Sequence, residues 1–307
     1  MVISKTIQIT ELLEQNYRIL PLLERLELYS FLGEDSLEEA CRRVDADAGT
    51  LVLIAEVCED PRFRPSDKSL KEANLDTVLK YLQNSHAYYR DKALLLLSES
   101  LESLLSGCAE KQKQAIWRFF TDYEDEMAKH FTHEEGHVRH YIEHLRSGSY
   151  DEAKDIDHID DCHDNIIEKI SDLKSLILKS LPSQCLGAER LQTLSLVSAL
   201  KEDLEAHERI EELVLEPMIR LMESELFGRE IESSDTAHES LSEREKEILV
   251  GVATGLINKE IADRFNISIH TVITHRKNIT RKTGIKSVAG LTVYALLNGL
   301  IDMNSVE

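Results

Sequence analysis

Between about Asn74 and Glu225 the chain reads as four long helical segments, near 72–105, 110–145, 151–180 and 189–225, and each carries a histidine at a comparable depth. Turn signals at Ser106-Gly107, at Ser147-Gly148-Ser149 and at Leu181–Gly187, which contains Pro182, separate them. Short connections make neighbouring helices antiparallel, so an up-down four-helix bundle is the simple packing. His130 and Glu134 are four residues apart, as are His207 and Glu211, so each pair projects from one helical face. Counted from the turns at Gly107, Gly148 and Gln184, the positions of His86, His130, His163 and His207 match to within two or three residues. At ~1.5 Å of rise per residue the mismatch is about 3–5 Å, so all four helices can deliver donors to one layer.

Four imidazoles and two carboxylates without a thiolate suit iron or manganese better than a closed structural zinc site. Glutamates on opposite helices can bridge two ions, leaving two histidines for each ion and open coordination positions. Any one of these histidines alone reads more readily as a structural core residue; the six at matched heights read as a metal site. The second helix offers a further stripe, His133, His137, His140 and His144, and His158 lies ahead of His163. The stripe reads first as a solvated face, and otherwise as supplementary metal ligands or axial ligands to haem. Histidine ligation is compatible with haem, which stands as the alternative cofactor.

The rest of the chain divides around this region. Only 12 Gly and 5 Pro in 307 residues, with 42% apolar residues, favour an all-α protein with real cores. Residues 1–62 read as a small helical domain, in which Asp35-Ser36 starts SLEEACRRV and a further helix covers Thr50–Val57. The polar turn DPRFRPSDK then reads as a linker to the bundle at 70–227. A second linker, 228–240, leads to short helices over 241–307. Five scattered cysteines without a CxxC pair are poor evidence for a disulfide framework and read as buried or incidental thiols. No apolar run reaches the ~18 residues of a membrane span, and the N-terminus lacks the order of a signal peptide, so a cytoplasmic location is expected.

The net charge of −21 argues at first against nucleic acid, but its distribution is uneven. From Leu241 onward nine basic residues face seven acidic ones, net +2, which leaves −23 on the first 240 residues. Arg264 to Lys286 holds six basic residues and no acidic one. Ser242 and Glu245 form a capping box, Gly255 suits a left-handed helix end, and Asn266 to Ser268 bracket a tight turn before a basic helix. Two short helices joined in this way are a helix-turn-helix signature.

Family resemblances sharpen both readings. YLQNSHAYYR, EMAKHFTHEEGHVRHYI, CHDNIIEKI and LEAHERIEELVLEPMI resemble hemerythrin-like domains, most closely the di-iron domain of the ScdA-type iron-centre repair proteins. That resemblance implies ligands at His86, His130, Glu134, His163, His207 and Glu211 and a non-haem di-iron cofactor, with manganese as a variant. SLEEAC with Cys41 resembles the N-terminal domain of the same repair proteins, but Tyr29-Ser30-Phe31-Leu32-Gly33 stands where their paired cysteines fall, so a packing or interaction role is expected. LSEREKEIL, ATGLINKEIA, NISIHTVITHRKNITRKTGI and KSVAGLTVYALLNGL resemble the LuxR-type helix-turn-helix domain. The resemblance implies base contacts by Ile273, Thr274 and Lys277, phosphate contacts by Lys259, Arg276, Arg281 and Lys282, and Thr271 and His275 on the same DNA-facing helix. It also implies a homodimer through Lys286–Gly299 on an inverted repeat of double-stranded DNA. The expected protein is a transcription regulator whose di-iron domain senses oxygen, nitric oxide, peroxide or iron. The alternatives are a di-iron repair or nitric-oxide-handling protein with secondary DNA binding, and a haem-binding regulator.

Overall fold

Serine, aspartate and asparagine caps set the starts of four successive helices between Leu37 and Tyr88. In this computed structural model, which describes residues 4–148, 163–181, 187–227 and 241–301 apart from positions 32, 34, 257, 266, 268, 284, 286 and 287, the described residues are helical with no named strand. The chain divides into two compact units, Met1–Ile231 and Glu232–Glu307.

The first unit opens with α1 (Ile9–Gln15), α2 (Leu20–Arg25), α3 (Leu37–Arg43), α4 (Ala48–Glu59) and α5 (Asp67–Glu72). Ser36 and Glu39 close a capping box on α3, and Asp47 caps α4 by accepting from the Thr50 amide at 2.7 Å. Asn74 likewise caps α6 (Leu75–Tyr88), and the two caps interlock: the Asp47 amide donates to Thr77 Oγ1 at 2.9 Å and the Asn74 amide to Thr50 Oγ1 at 2.7 Å. The stretch around Pro61 and Pro65 turns the chain without spacing it out, because α5 follows at once and packs on α4 and on a later bundle helix.

The bundle follows the expected segments closely. Its first helix is α6, a π-helical turn at Tyr89–Ala93 and α7 (Leu94–Leu105); its second is α8 (Glu110–Arg146), 37 residues and about 55 Å long. The third is described as α9 (His163–Lys179), and residues 151–162, expected to begin it, lie outside the described residues. The fourth is α10 (Ala188–Ile210), a π-helical turn at Glu211–Leu215 and α11 (Glu216–Phe227).

Two apolar clusters fill this unit. One joins the N-terminal helices (Leu12, Leu23, Leu37, Ile54) to Leu82, Val138 and Val214 of the bundle, so residues expected to form a separate small domain share a core with it. The other holds Tyr89, Leu97, Phe120, Phe131, Ile170 and Leu204. Along α6, α8 and α10 the histidines and glutamates fall between these sets, so a polar layer separates two apolar halves.

In the second unit, α12 (Glu243–Ala253), α13 (Asn258–Phe265), α14 (Ile269–Thr283) and α15 (Val288–Leu297) surround a core of Ile248, Leu249, Ile261, Val272, Ile279 and Leu291. Gly255 takes φ +84°, the left-handed residue that ends α12. Gly251 lets α13 approach, since a Cβ there would meet Ile261 Cγ1 at 3.1 Å. The 228–240 linker lies outside the described residues.

Among the described cysteines, Cys108 departs from expectation: it is disulfide-bonded. Spacing along the chain says little about which loops a bundle brings within bonding distance. Cys41 and Cys58 are free, and burial pushes both thiols up to about 12, which makes them packing groups. Cys162 and Cys185 lie outside the described residues.

Candidate metal centre and helix-turn-helix unit

Helical spacing presents His86 from α6, His130 and Glu134 from α8, and His207 with Glu211 from the fourth helix, all five buried. His86, Glu134, His207 and Glu211 each offer a donor atom within 4.8 Å of the others. His86 Nε2 lies 2.9 Å from His207 Nε2 and 3.5 Å from Glu134 Oε1, and His207 Nε2 lies 3.0 Å from Glu211 Oε1. His130 joins through Glu134, with Nε2 3.1 Å from Oε2. Adjacent donors around a first-row ion, each held at roughly 2.1 Å, lie about 3 Å apart. The donor set therefore fits an ion of the iron or manganese class.

His163 opens α9, and its side chain, like the whole of His158, lies outside the described residues. Of the second stripe, His140 and His144 approach at 3.1 Å between Nε2 atoms, and the rings of His133 and His137 stack with centroids 5.8 Å apart. His133 and His140 are exposed and His137 and His144 half-buried, and none of the four is in the buried group.

Several contributors were invisible in the ligand pattern. Glu135 Oε1 accepts from His86 Nδ1 at 3.0 Å, which lowers the Glu135 pKa and leaves the Nε2 lone pair facing the layer. Its only signal was its position beside Glu134. Phe131 stacks on His86 with centroids 4.2 Å apart, and Tyr89 meets both Phe131 and His207. The rings fix the imidazoles and keep water from one side of the layer. The two π-helical turns start three residues after His86 and at Glu211 itself, and each packs on the other ligand helix. Such turns concentrate at functional sites, and no residue type announces them. A cavity of about 420 Å³ opens between α6 and α8 onto His86, Glu134 and Glu135, walled by Leu79, Gln83 and Arg139.

In the second unit, α14 occupies the recognition position. Arg276 Nη1 donates to Asn258 Oδ1 at 2.6 Å, and Lys282 Nζ pairs with the buried Glu245 at 3.1 Å, so both cations are engaged inside the unit. His275 is half-buried with its pKa lowered by desolvation, and Thr271 is also half-buried. The side chains of Lys259, Ile273, Thr274, Lys277 and Arg281 lie outside the described residues.

Fold and site together define an all-α protein with a hemerythrin-like bundle ahead of a helix-turn-helix domain. Residues 77–194 match the hemerythrin HHE cation binding domain, and residues 239–295 match the bacterial regulatory proteins of the luxR family. The first match stops short of His207 and Glu211. The chain is 41% identical over 76 residues to the transcriptional regulatory protein MctR of Rhizobium johnstonii, covering 25% of this chain and 34% of that protein. It is 40% identical over 75 residues to the oxygen regulatory protein NreC of Staphylococcus carnosus, covering 24% of this chain and 35% of that protein. It thus spans about a third of the length of these curated relatives. No solved structure matches the chain. The hemerythrin match and the buried His/Glu cluster together imply a metal site, and the LuxR-type domain implies DNA binding. Among the described residues no helix is long and apolar enough to cross a membrane.

Proposed function

We propose that this chain is a transcription regulator in which the state of a non-haem iron centre sets the DNA affinity of the LuxR-type domain. The observation that carries the reading is the buried group His86, Glu134, His207 and Glu211 in a chain that also matches a DNA-binding family. His130 and His163 complete the proposed ligand set. Carboxylates among the imidazoles, gathered within 4.8 Å, favour ions over the flat span of a porphyrin. When bound, the iron centre supplies reversible redox chemistry and an open coordination position.

The chain's own residues do the rest. Glu135 orients His86, Phe131 and Tyr89 exclude water from one side, and the cavity between α6 and α8 admits a ligand the size of oxygen, nitric oxide or peroxide. Each ligand helix carries a π-helical turn next to its donors, a place where a change in donor spacing can be taken up as helix rotation. A ligand shifts such an equilibrium only by binding its two states differently. In the proposed domain organisation 1–62 and 70–227 form the input, 228–240 the connection and 241–307 the output. The output acts as a dimer through the last helix on an inverted repeat, with Lys259, Thr271, Ile273, Thr274, His275, Lys277 and Arg281 toward DNA and Arg276 and Lys282 at its edge.

The test compares DNA affinity of the reduced iron-loaded, oxidised iron-loaded and metal-free proteins. At least a fivefold difference between two of these forms is expected, matching the usual size of a coupling between sites. Equal affinities would sink the proposal.

A further inference from the structure

Arg25, in the N-terminal helices, is 2% exposed, and its Nη2 donates to Asp203 Oδ2 at 2.6 Å across 178 residues of sequence. Asp203 stands one helical turn before His207 on α10, and the Tyr89 hydroxyl donates to the Asp203 carbonyl at 3.2 Å while its ring meets His207 edge-on at 5.6 Å. Further contacts of Arg25 reach the helix that carries His86. Its guanidinium lies 3.5 Å over the Tyr88 ring, and its carbonyl accepts from Asn84 Nδ2 at 2.5 Å, so the residues two before and two after His86 are both held. Two residues past His207, Arg209 Nη2 donates to the Cys58 carbonyl at 3.3 Å. Four contacts from the N-terminal helices thus land within four residues of a candidate ligand.

A buried ion pair is a poor source of net stability compared with apolar residues of the same volume, so its presence asks for another role. Its geometry supplies one. Arg25 reaches from the N-terminal helices to both α6 and α10 at the height of the donor layer, and its planar, multiply donating head suits the joining of fixed partners.

We infer that Arg25 and Asp203 are positioning residues for His207 and His86, and that the N-terminal helices form a wall of the candidate metal centre. The inference rests on the reading of the His/Glu cluster as a metal site. It gives residues 1–62 a role that needs no thiol: they hold the register of α6 against α10, and with it the spacing of two donors.

The test uses the full-length protein loaded anaerobically with ferrous iron. Iron per chain, the rate of iron loss to a ferrous chelator, the absorption spectrum and the melting temperature of the metal-free form are measured for wild type, Arg25→Gln, Asp203→Asn and the apolar pair Arg25→Met with Asp203→Leu. Removing an outer-shell partner of a metal ligand weakens retention by about 10- to 100-fold. Both single variants are expected to lose iron faster by that factor with a shifted spectrum. The apolar pair should recover the metal-free melting temperature while still losing iron quickly. Variants that melt lower but keep the wild-type spectrum and release rate overturn the inference, as does an apolar pair that restores both readouts. Wild-type protein that takes up no iron overturns the reading of the site itself, a separate result.

Discussion

The Nε2 atoms of His86 and His207 lie 2.9 Å apart, although 121 residues separate the two histidines. With Glu135 accepting from Nδ1 of His86, the His86 Nε2 faces His207 as an acceptor, and the contact is a hydrogen bond when the His207 ring hydrogen sits on Nε2. A cation held between them would use the lone pairs of both Nε2 atoms, with the His207 ring hydrogen on Nδ1. Ferrous iron at a hundred times its dissociation constant should stabilise the first unit by about 2.7 kcal/mol. His207→Ala should abolish that increment. Calorimetry with and without iron decides the matter, and identical melting temperatures for wild type refute it.

The second unit has its own electrostatic anchor. Burial would raise the pKa of Glu245, but the Ser242 amide at 2.7 Å and Lys282 outweigh it and hold the carboxyl below its ordinary value. A depressed carboxyl stabilises the fold fully above the unfolded value of about 4.3, and the contribution is lost as pH falls through the folded value. Hydrogen-exchange protection factors of α12 in the full chain should therefore drop on acidification below that range. Glu245→Gln should lower them at neutral pH by about 1–3 kcal/mol and flatten the acid response. A wild-type profile in the variant would count against the assignment.

The last helix leaves Val288, Val293 and Leu297 at 48%, 54% and 82% exposure. Exposed apolar side chains on one short helix suit the proposed dimer contact. Val293→Glu and Leu297→Glu should give monomers in sedimentation velocity and weaken binding to an inverted repeat. Folding should change by no more than about 0.5 kcal/mol, as for surface positions generally. A dimer that survives both substitutions places the contact elsewhere.

Salt dependence of DNA binding can count the cations that reach phosphate. Six contacts give a log-log slope of about −5 per domain, and four give about −4. If Arg276 and Lys282 keep their contacts with Asn258 and Glu245 in the complex, the shallower slope is expected. Fluorescence anisotropy between 50 and 300 mM salt, roughly the range over which such slopes are resolved, separates the two cases.

The layer was legible because its information is local. His130 with Glu134 and His207 with Glu211 announce a shared face through spacing alone, and turn residues around Gly107 and Gly148 fix helix lengths well enough to align the heights. The same holds for Ser242 with Glu245, whose capping box is present. What escaped the sequence is set by contacts between distant segments. Arg25 and Asp203 carry no mark that they will meet, and the residues around Pro61 read as a spacer because their polarity says nothing about the core shared on either side. The disulfide at Cys108 and the two π-helical turns escaped for the same reason, since tertiary packing decides both.

The distance between His86 and His207 along the chain also sets an order of events during synthesis. At about 5–20 residues per second, His207 follows His86 out of the ribosome by roughly 6–24 s. The donors on α6 and α8 emerge within that interval, ahead of the fourth helix that completes the set, and Arg25 waits longer still for Asp203. Iron supplied before the fourth helix emerges would meet an incomplete candidate set, since His207 and Glu211 come last in the chain.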